Sequence, residues 1–105
     1  MDKKNSYYSR RINYEGSLMI NICDAELIDS KIKDGELEIV ISKEYFNECI
    51  DEQEAVRLLK ACSIANLVGK SIVGKALELR LASPYSVRYI AGIPFLMIFK
   101  FVHNY

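Results

Sequence analysis

The chain has 105 residues, half of them hydrophobic and 27% charged, with 14 Lys and Arg against 14 Asp and Glu. A single domain over residues 1–105, burying roughly 65% of its unfolded surface, suits that length, and the composition excludes a disordered chain. Formal net charge is zero but unevenly spread: residues 1–23 sum to +2, residues 24–54 to −8 and residues 55–105 to +6.

Residues 1–6 are expected to form a flexible tail, and "MDKKNSYYSRR" lacks the apolar core of a signal peptide. Ser6 to Tyr14, the turn Glu15-Gly16 and the run "SLMINICD" read as a hairpin, with Leu18, Ile20 and Ile22 on one apolar face. "AELIDSKIKDG" reads as a loop ending in the Asp34-Gly35 turn. "ELEIVIS" then alternates as a third, half-buried strand, with Leu37, Ile39 and Ile41 on one side. Asp51 and Glu54 have the spacing of a capping box, in which one carboxylate accepts backbone N–H groups and the other reaches back. Behind them Ala55, Leu58, Leu59, Cys62 and Ala65 form a helical stripe that Gly69 ends.

A second helix starts near Lys70 or Ser71 and buries Ile72, Val73, Ala76 and Leu77. Ser83-Pro84 breaks it, and "VRYI" and "FLMIFKFV" follow as strands around the turn Gly92-Ile93-Pro94. The longest apolar run, Ile93 to Val102, has ten residues including Lys100. A membrane-crossing helix needs about 20, so no membrane partner and a cytoplasmic location are expected. The predicted fold is α+β: a small mixed or mostly antiparallel sheet of four to five strands in the order β-β-β-α-α-β-β, with two helices largely on one face.

"SIANLVGKSIVGKA" contains Gly69-Lys70-Ser71 and raises the question of a phosphate-binding loop. Such a loop needs Gly-x-x-x-x-Gly-Lys-Ser between a strand and a helix. The position five residues before Gly69 holds Ile64, and the preceding pattern is helical, so the spacing predicts a helix–Gly–helix joint. A helix start still offers its N–H groups to an anion.

"CDAEL" at Cys23 to Leu27, "KDGELEIVIS" at Lys33 to Ser42, "ANLVG" at Ala65 to Gly69 and "VRYIAGIP" at Val87 to Pro94 form an ordered set. In it, roughly over residues 17 to 95, the chain resembles an archaeal family known as domain of unknown function 424. The resemblance implies a compact α+β cytoplasmic domain, with no assigned activity and an association with translation genes. Cys23, Asp24, Asn66, Gly69, Gly92 and Pro94 are its motif residues, of unknown role. The family tends to glycine where Asp29 stands, and to a histidine-containing end where Phe95, Leu96 and Met97 follow Pro94.

Cys23, Cys49 and Cys62 form no close pair, and His103 is the single histidine, so no zinc site is expected and the thiols read as reduced. No cofactor is implied. A nucleophilic Cys23 lacks a neighbouring base; with Asp24 it reads as packing and a turn. Asn66 either satisfies backbone groups near Gly69 or contacts a ligand. Gly92-Ile93-Pro94 is a rigid turn or a fixed binding loop. Glu44, Glu48, Asp51, Glu52 and Glu54 suit a solvated helix start. No acid–base or nucleophile constellation marks an enzyme, and no catalytic residue is assigned.

Two binding readings remain. In one, a basic and aromatic face of Tyr8, Arg10, Arg11, Lys70, Lys75, Arg80 and Arg88, with Tyr7 and Tyr14 nearby, meets RNA or a ribonucleoprotein. In the other, a protein-interaction domain or homodimer uses the apolar C-terminal strand. There Phe95, Met97, Phe99 and Phe101 lie on one side, with Leu96, Ile98 and Val102 on the other.

Overall fold

The computed structural model describes residues 6–100. Ser6 apart, the expected N-terminal tail lies outside those residues, as do Phe101, Val102 and His103. The first hairpin forms as expected: β1 (Tyr7–Tyr14) pairs antiparallel with β2 (Ser17–Asp24) across the turn residues Glu15 and Gly16. Both turn residues have positive φ, the geometry whose twist matches that of paired strands.

The next segment departs from the reading above. "AELIDSKIKDG" holds a short 3-10 turn at Ala25–Leu27 and then β3 (Lys31–Asp34), which pairs with β4 (Leu37–Val40) in a separate two-stranded sheet. The third strand is therefore real but does not join the main sheet. Asp29 has φ 69°, a left-handed conformation that glycine reaches without a Cβ penalty and Asp tolerates. A short β5 (Glu48–Ile50), within the acidic stretch read as a helix start, pairs with β1.

Helix α1 (Glu52–Ala61) begins where expected, with Asp51 Oδ1 accepting the Glu54 N–H at 2.9 Å. Only half the capping box forms, because the Glu54 carboxylate turns to the Arg57 guanidinium instead of the cap N–H. The helix ends at Ala61, and the predicted continuation to Gly69 is wrong. Cys62 is extended, at φ −77° and ψ 161°, and Ile64–Val68 forms strand β6. It runs parallel to β2 on one side and antiparallel to β8 (Ile93–Phe99) on the other. A strand covered on both faces presents an unbroken apolar run, which periodicity cannot tell from a helical continuation.

The main sheet has six strands in the order β5-β1-β2-β6-β8-β7, larger than expected, with β7 (Arg88–Ile90) at the far edge. The turn before β8 is Ala91-Gly92, both with positive φ, and Pro94 already belongs to the strand rather than to a rigid Gly-Ile-Pro turn.

Helix α2 (Lys70–Glu78) buries Ile72, Val73 and Ala76, and Leu77 packs against the same core. Both helices cover one face of the sheet. Their apolar stripes meet Ile20, Ile22, Ala65, Leu67, Leu96 and Ile98, each worth about 1.5–3 kcal/mol for a fully buried large aliphatic. On the opposite face Ile32, Ile41 and Phe46 cover Cys23 and Val68, with Ile90 and Phe95 at the margin. The β3–β4 layer thus closes one end of that face only.

Candidate functional site

Gly69 is the N-cap of α2 and directly follows β6, so the Gly-Lys-Ser element is a strand–Gly–helix joint, not helix–Gly–helix. That is the setting of a phosphate loop, yet the anion position is already filled from within. Asp24, at the end of neighbouring β2, accepts the Ser71 N–H through Oδ2 and the Ile72 N–H through Oδ1, both at 2.9 Å. The carboxylate satisfies two of the orphan donors of α2 and offsets its positive end. Gly69 has φ 120° and ψ 154°, a backbone region essentially reserved for glycine. A Cβ there would stand 2.5 and 2.8 Å from the two Asp24 oxygens.

Tyr7 Oη bonds Ser71 Oγ at 2.7 Å, and the Gly69 N–H donates to the Pro94 carbonyl at 3.0 Å. Asp24, Gly69, Gly92 and Pro94 line one cavity of about 250 Å3 with Glu26 and Lys70. Four of the six motif residues therefore meet where β2, β6–α2 and the start of β8 are tied together. Burial raises the Asp24 carboxyl above its usual value, and the two amide donors draw it back. Cys23, beside it, is fully buried, and burial followed by the Asp24 charge pushes its thiol up to about 12. A thiol so placed stays protonated and packs as an apolar group.

The seven basic and aromatic candidates do not share one face. Tyr8 and Arg10 lie on the face opposite the helices, cross-strand from Cys23 and Asn21, and Arg10 donates to the Glu44 carbonyl at 2.7 Å. Arg11 lies on the helix side and is paired with Glu48 at 2.8 Å. Lys75 on α2 is held by Glu52 at 2.7 Å and Glu78 at 3.2 Å, both favouring its charged form. Lys70, Arg80 and Arg88 are exposed, and none has an acidic partner among the described residues. Tyr85 is 98% exposed and Tyr89 is 68% exposed.

The sixth motif residue, Asn66, sits mid-sheet on the face opposite the helices. Its Nδ2 donates to Asn21 Oδ1 at 3.1 Å, and Asn21 Nδ2 reaches the Tyr45 carbonyl at 3.4 Å. The amide thus serves a neighbouring strand rather than the Gly69 turn. Beside it, Val68, Ser86, Arg88, Phe95 and Met97 line a groove of about 420 Å3. A second groove of about 370 Å3, on the other side of Met97, is lined by Tyr14, Met19, Ile64, Phe99 and Lys100. Met97 and Phe99 are each about half exposed and Tyr14 more so.

Ser86, Met19 and Ile64 were not singled out in the sequence. Ser86 lies in a 3-10 turn ahead of β7, where no spacing signal marks its side, and Ile64 was hidden in an apparent helix. Among the described residues no three His, Cys, Asp or Glu side chains are grouped to hold a metal ion, and no helix is long and apolar enough to cross a membrane.

The fold and this arrangement define an α+β domain with two helices on one face of a six-stranded mixed sheet and a two-stranded layer over one end of the other. The family model described as "Protein of unknown function (DUF424)" matches residues 12–101, and the chain belongs to that family. None of the curated proteins matches it. Its fold is similar to the crystal structure of an uncharacterized conserved protein from Methanopyrus kandleri, with a TM-score of 0.77 at 14% identity, covering 95% of this chain and 97% of that one.

Proposed function

We propose that this protein is a non-enzymatic interaction module that docks a second copy of the chain through the part of its sheet face that the β3–β4 layer does not reach. The observation that carries the reading is the row Met19, Ile64 and Phe99, flanked by Met97 and Tyr14. These side chains share the face away from both helices, beyond the reach of the β3–β4 layer. An exposed cluster of aromatic, Met and aliphatic side chains with few charges has the composition of an interface core. The nearby cations are engaged within the chain, Arg10 with the Glu44 carbonyl and Lys100 with the Leu59 carbonyl. A chain of zero net charge meets no overall repulsion from its own copy. Two such faces related by a two-fold axis match apolar row to apolar row.

Light scattering across a concentration series tests this. A dimer at micromolar concentration that Met97→Lys with Phe99→Lys converts to a folded monomer is the expected result. A wild-type monomer throughout the series refutes it.

The RNA reading keeps one specific support, the exposed Lys70, Arg80 and Arg88, which have no acidic partner among the described residues, together with exposed Tyr85 and Tyr89. It predicts binding to transfer or ribosomal RNA that falls steeply with salt and is weakened by Arg80→Ala with Arg88→Ala rather than by Arg11→Ala.

A further inference from the structure

We propose that the groove between β7 and the open face of β6 and β8 is a binding site for a nucleoside monophosphate unit with an amino-bearing base. The groove shares Met97 with the edge of the dimer surface, but Asn66, Ser86 and Arg88 lie outside that surface and the inference does not rest on that reading. Its volume of about 420 Å3 lies in the roughly 300–1,000 Å3 range of small-molecule sites, which are mostly apolar with a few placed polar groups.

The groove has that make-up. Val68, Phe95 and Met97 supply apolar and aromatic surface for a planar base. Arg88 is the cross-strand partner of Phe95, so guanidinium and ring stand side by side on one face of the sheet. No carboxylate lines the groove, and Arg88 has no acidic partner among the described residues. The local field is therefore positive and suits a phosphate, which a guanidinium meets with two parallel donors. The Ser86 hydroxyl, also in the wall, is a donor or acceptor suited to a ribose hydroxyl.

Asn66 sets the base. The Tyr45 carbonyl can accept only from an N–H, which turns Asn21 so that its Oδ1 faces Asn66. That oxygen in turn takes Asn66 Nδ2. The relay fixes the amide orientation and leaves Asn66 Oδ1 as the acceptor available to the groove. A fixed acceptor among apolar side chains suits the exocyclic amine of adenine or cytosine. Uracil would bring its N3–H with a carbonyl on each side into the same apolar surroundings, and each carbonyl would lose hydration there. A free nucleotide and the terminal residue of an RNA chain share this chemistry.

The test is a titration of the isotope-labelled full chain with AMP, UMP, adenosine and a short oligoadenylate, followed by amide spectra. AMP is expected to move the Asn66 side-chain amide together with Ser86 and Arg88. UMP and adenosine should bind at least tenfold more weakly, and Arg88→Gln, a surface change that leaves the spectrum folded, should lower AMP affinity roughly tenfold. Perturbation of the same residues by oligoadenylate but not AMP assigns the site to an RNA terminus. The proposal is overturned if neither ligand moves these residues, if UMP binds as well as AMP, or if folded Arg88→Gln binds unchanged. A dimer without nucleotide binding would overturn this inference alone, and nucleotide binding by a strict monomer would overturn only the dimer.

Discussion

Replacing Gly69 with alanine probes the joint on which the motif residues converge. Two costs arise. The backbone at φ 120° and ψ 154° is strained for any residue with a Cβ, at about 1–3 kcal/mol. The new methyl also enters the Asp24 carboxylate, which must retreat from the Ser71 or Ile72 N–H and lose a bond to a charged acceptor worth about 1.5–3 kcal/mol. The sum is about 2.5–6 kcal/mol, against about 5–15 kcal/mol for a domain of this size. In urea, with a slope of about 1.5 kcal/mol/M, the midpoint should fall by roughly 2–4 M.

Gly74→Ala is the control. It lies within α2, where a Cβ meets nothing within 4 Å, and should stabilise by about 0.5–1 kcal/mol. The decisive comparison is the double variant Gly69→Ala with Asp24→Ala. Truncating Asp24 removes the atoms that the methyl strikes, so the two losses should fall short of additivity by at least about 1 kcal/mol. A Gly69→Ala cost below about 1 kcal/mol, or additive single losses, would refute the account.

Asp24→Asn tests the electrostatics of the same carboxyl. Its folded-state pKa lies above the ordinary 3.8, chiefly through burial, so the folded chain holds the proton more tightly than the unfolded one. The stability from this linkage is full below the unfolded pKa and is lost as pH rises through the folded pKa. The amide does not titrate, so the advantage of the natural chain over Asp24→Asn, read from urea midpoints, should shrink with rising pH across that window. A gap that widens instead would contradict it. The thiols give an independent check. With Cys23 and Cys62 buried and raised in pKa and Cys49 exposed, Ellman's reagent at mildly alkaline pH should titrate one thiol quickly in the folded protein and all three in urea. Fast reaction of Cys23 in the folded chain would overturn its assigned burial.

Local chemistry was readable where one residue type answers one local need. Glu15-Gly16 made its turn, Asp51 capped α1, and the stripe Ile72, Val73, Ala76 faced inward, because turns, caps and amphipathic faces are set within a few residues of chain. The reading failed where a segment's state depends on what lies beside it. Ile64–Val68 carries side chains suited to a buried helix or a buried strand. The open edge of β2 and the return of β8 make it a strand. β3 and β5 were too short to show a period, and the partner of β5, β1, lies about 40 residues earlier in the chain.

The candidate sites divide the same way. That Arg10, Arg11 and Lys75 are basic is a fact of sequence. That they are spent on Glu44, Glu48, Glu52 and Glu78 is decided by neighbours supplied through the fold. Residue order alone determined the class of domain, the Glu15-Gly16 turn, the Asp51 cap and its family. The tertiary structure decided that Asp24 fills the anion position at Gly69, that Asn66 turns to Asn21, and that the β3–β4 layer covers only one end of a sheet face among the described residues. Each of these is a contact between segments more than 40 residues apart or depends on where the β3–β4 layer lands. Local propensity carries no information about such pairings.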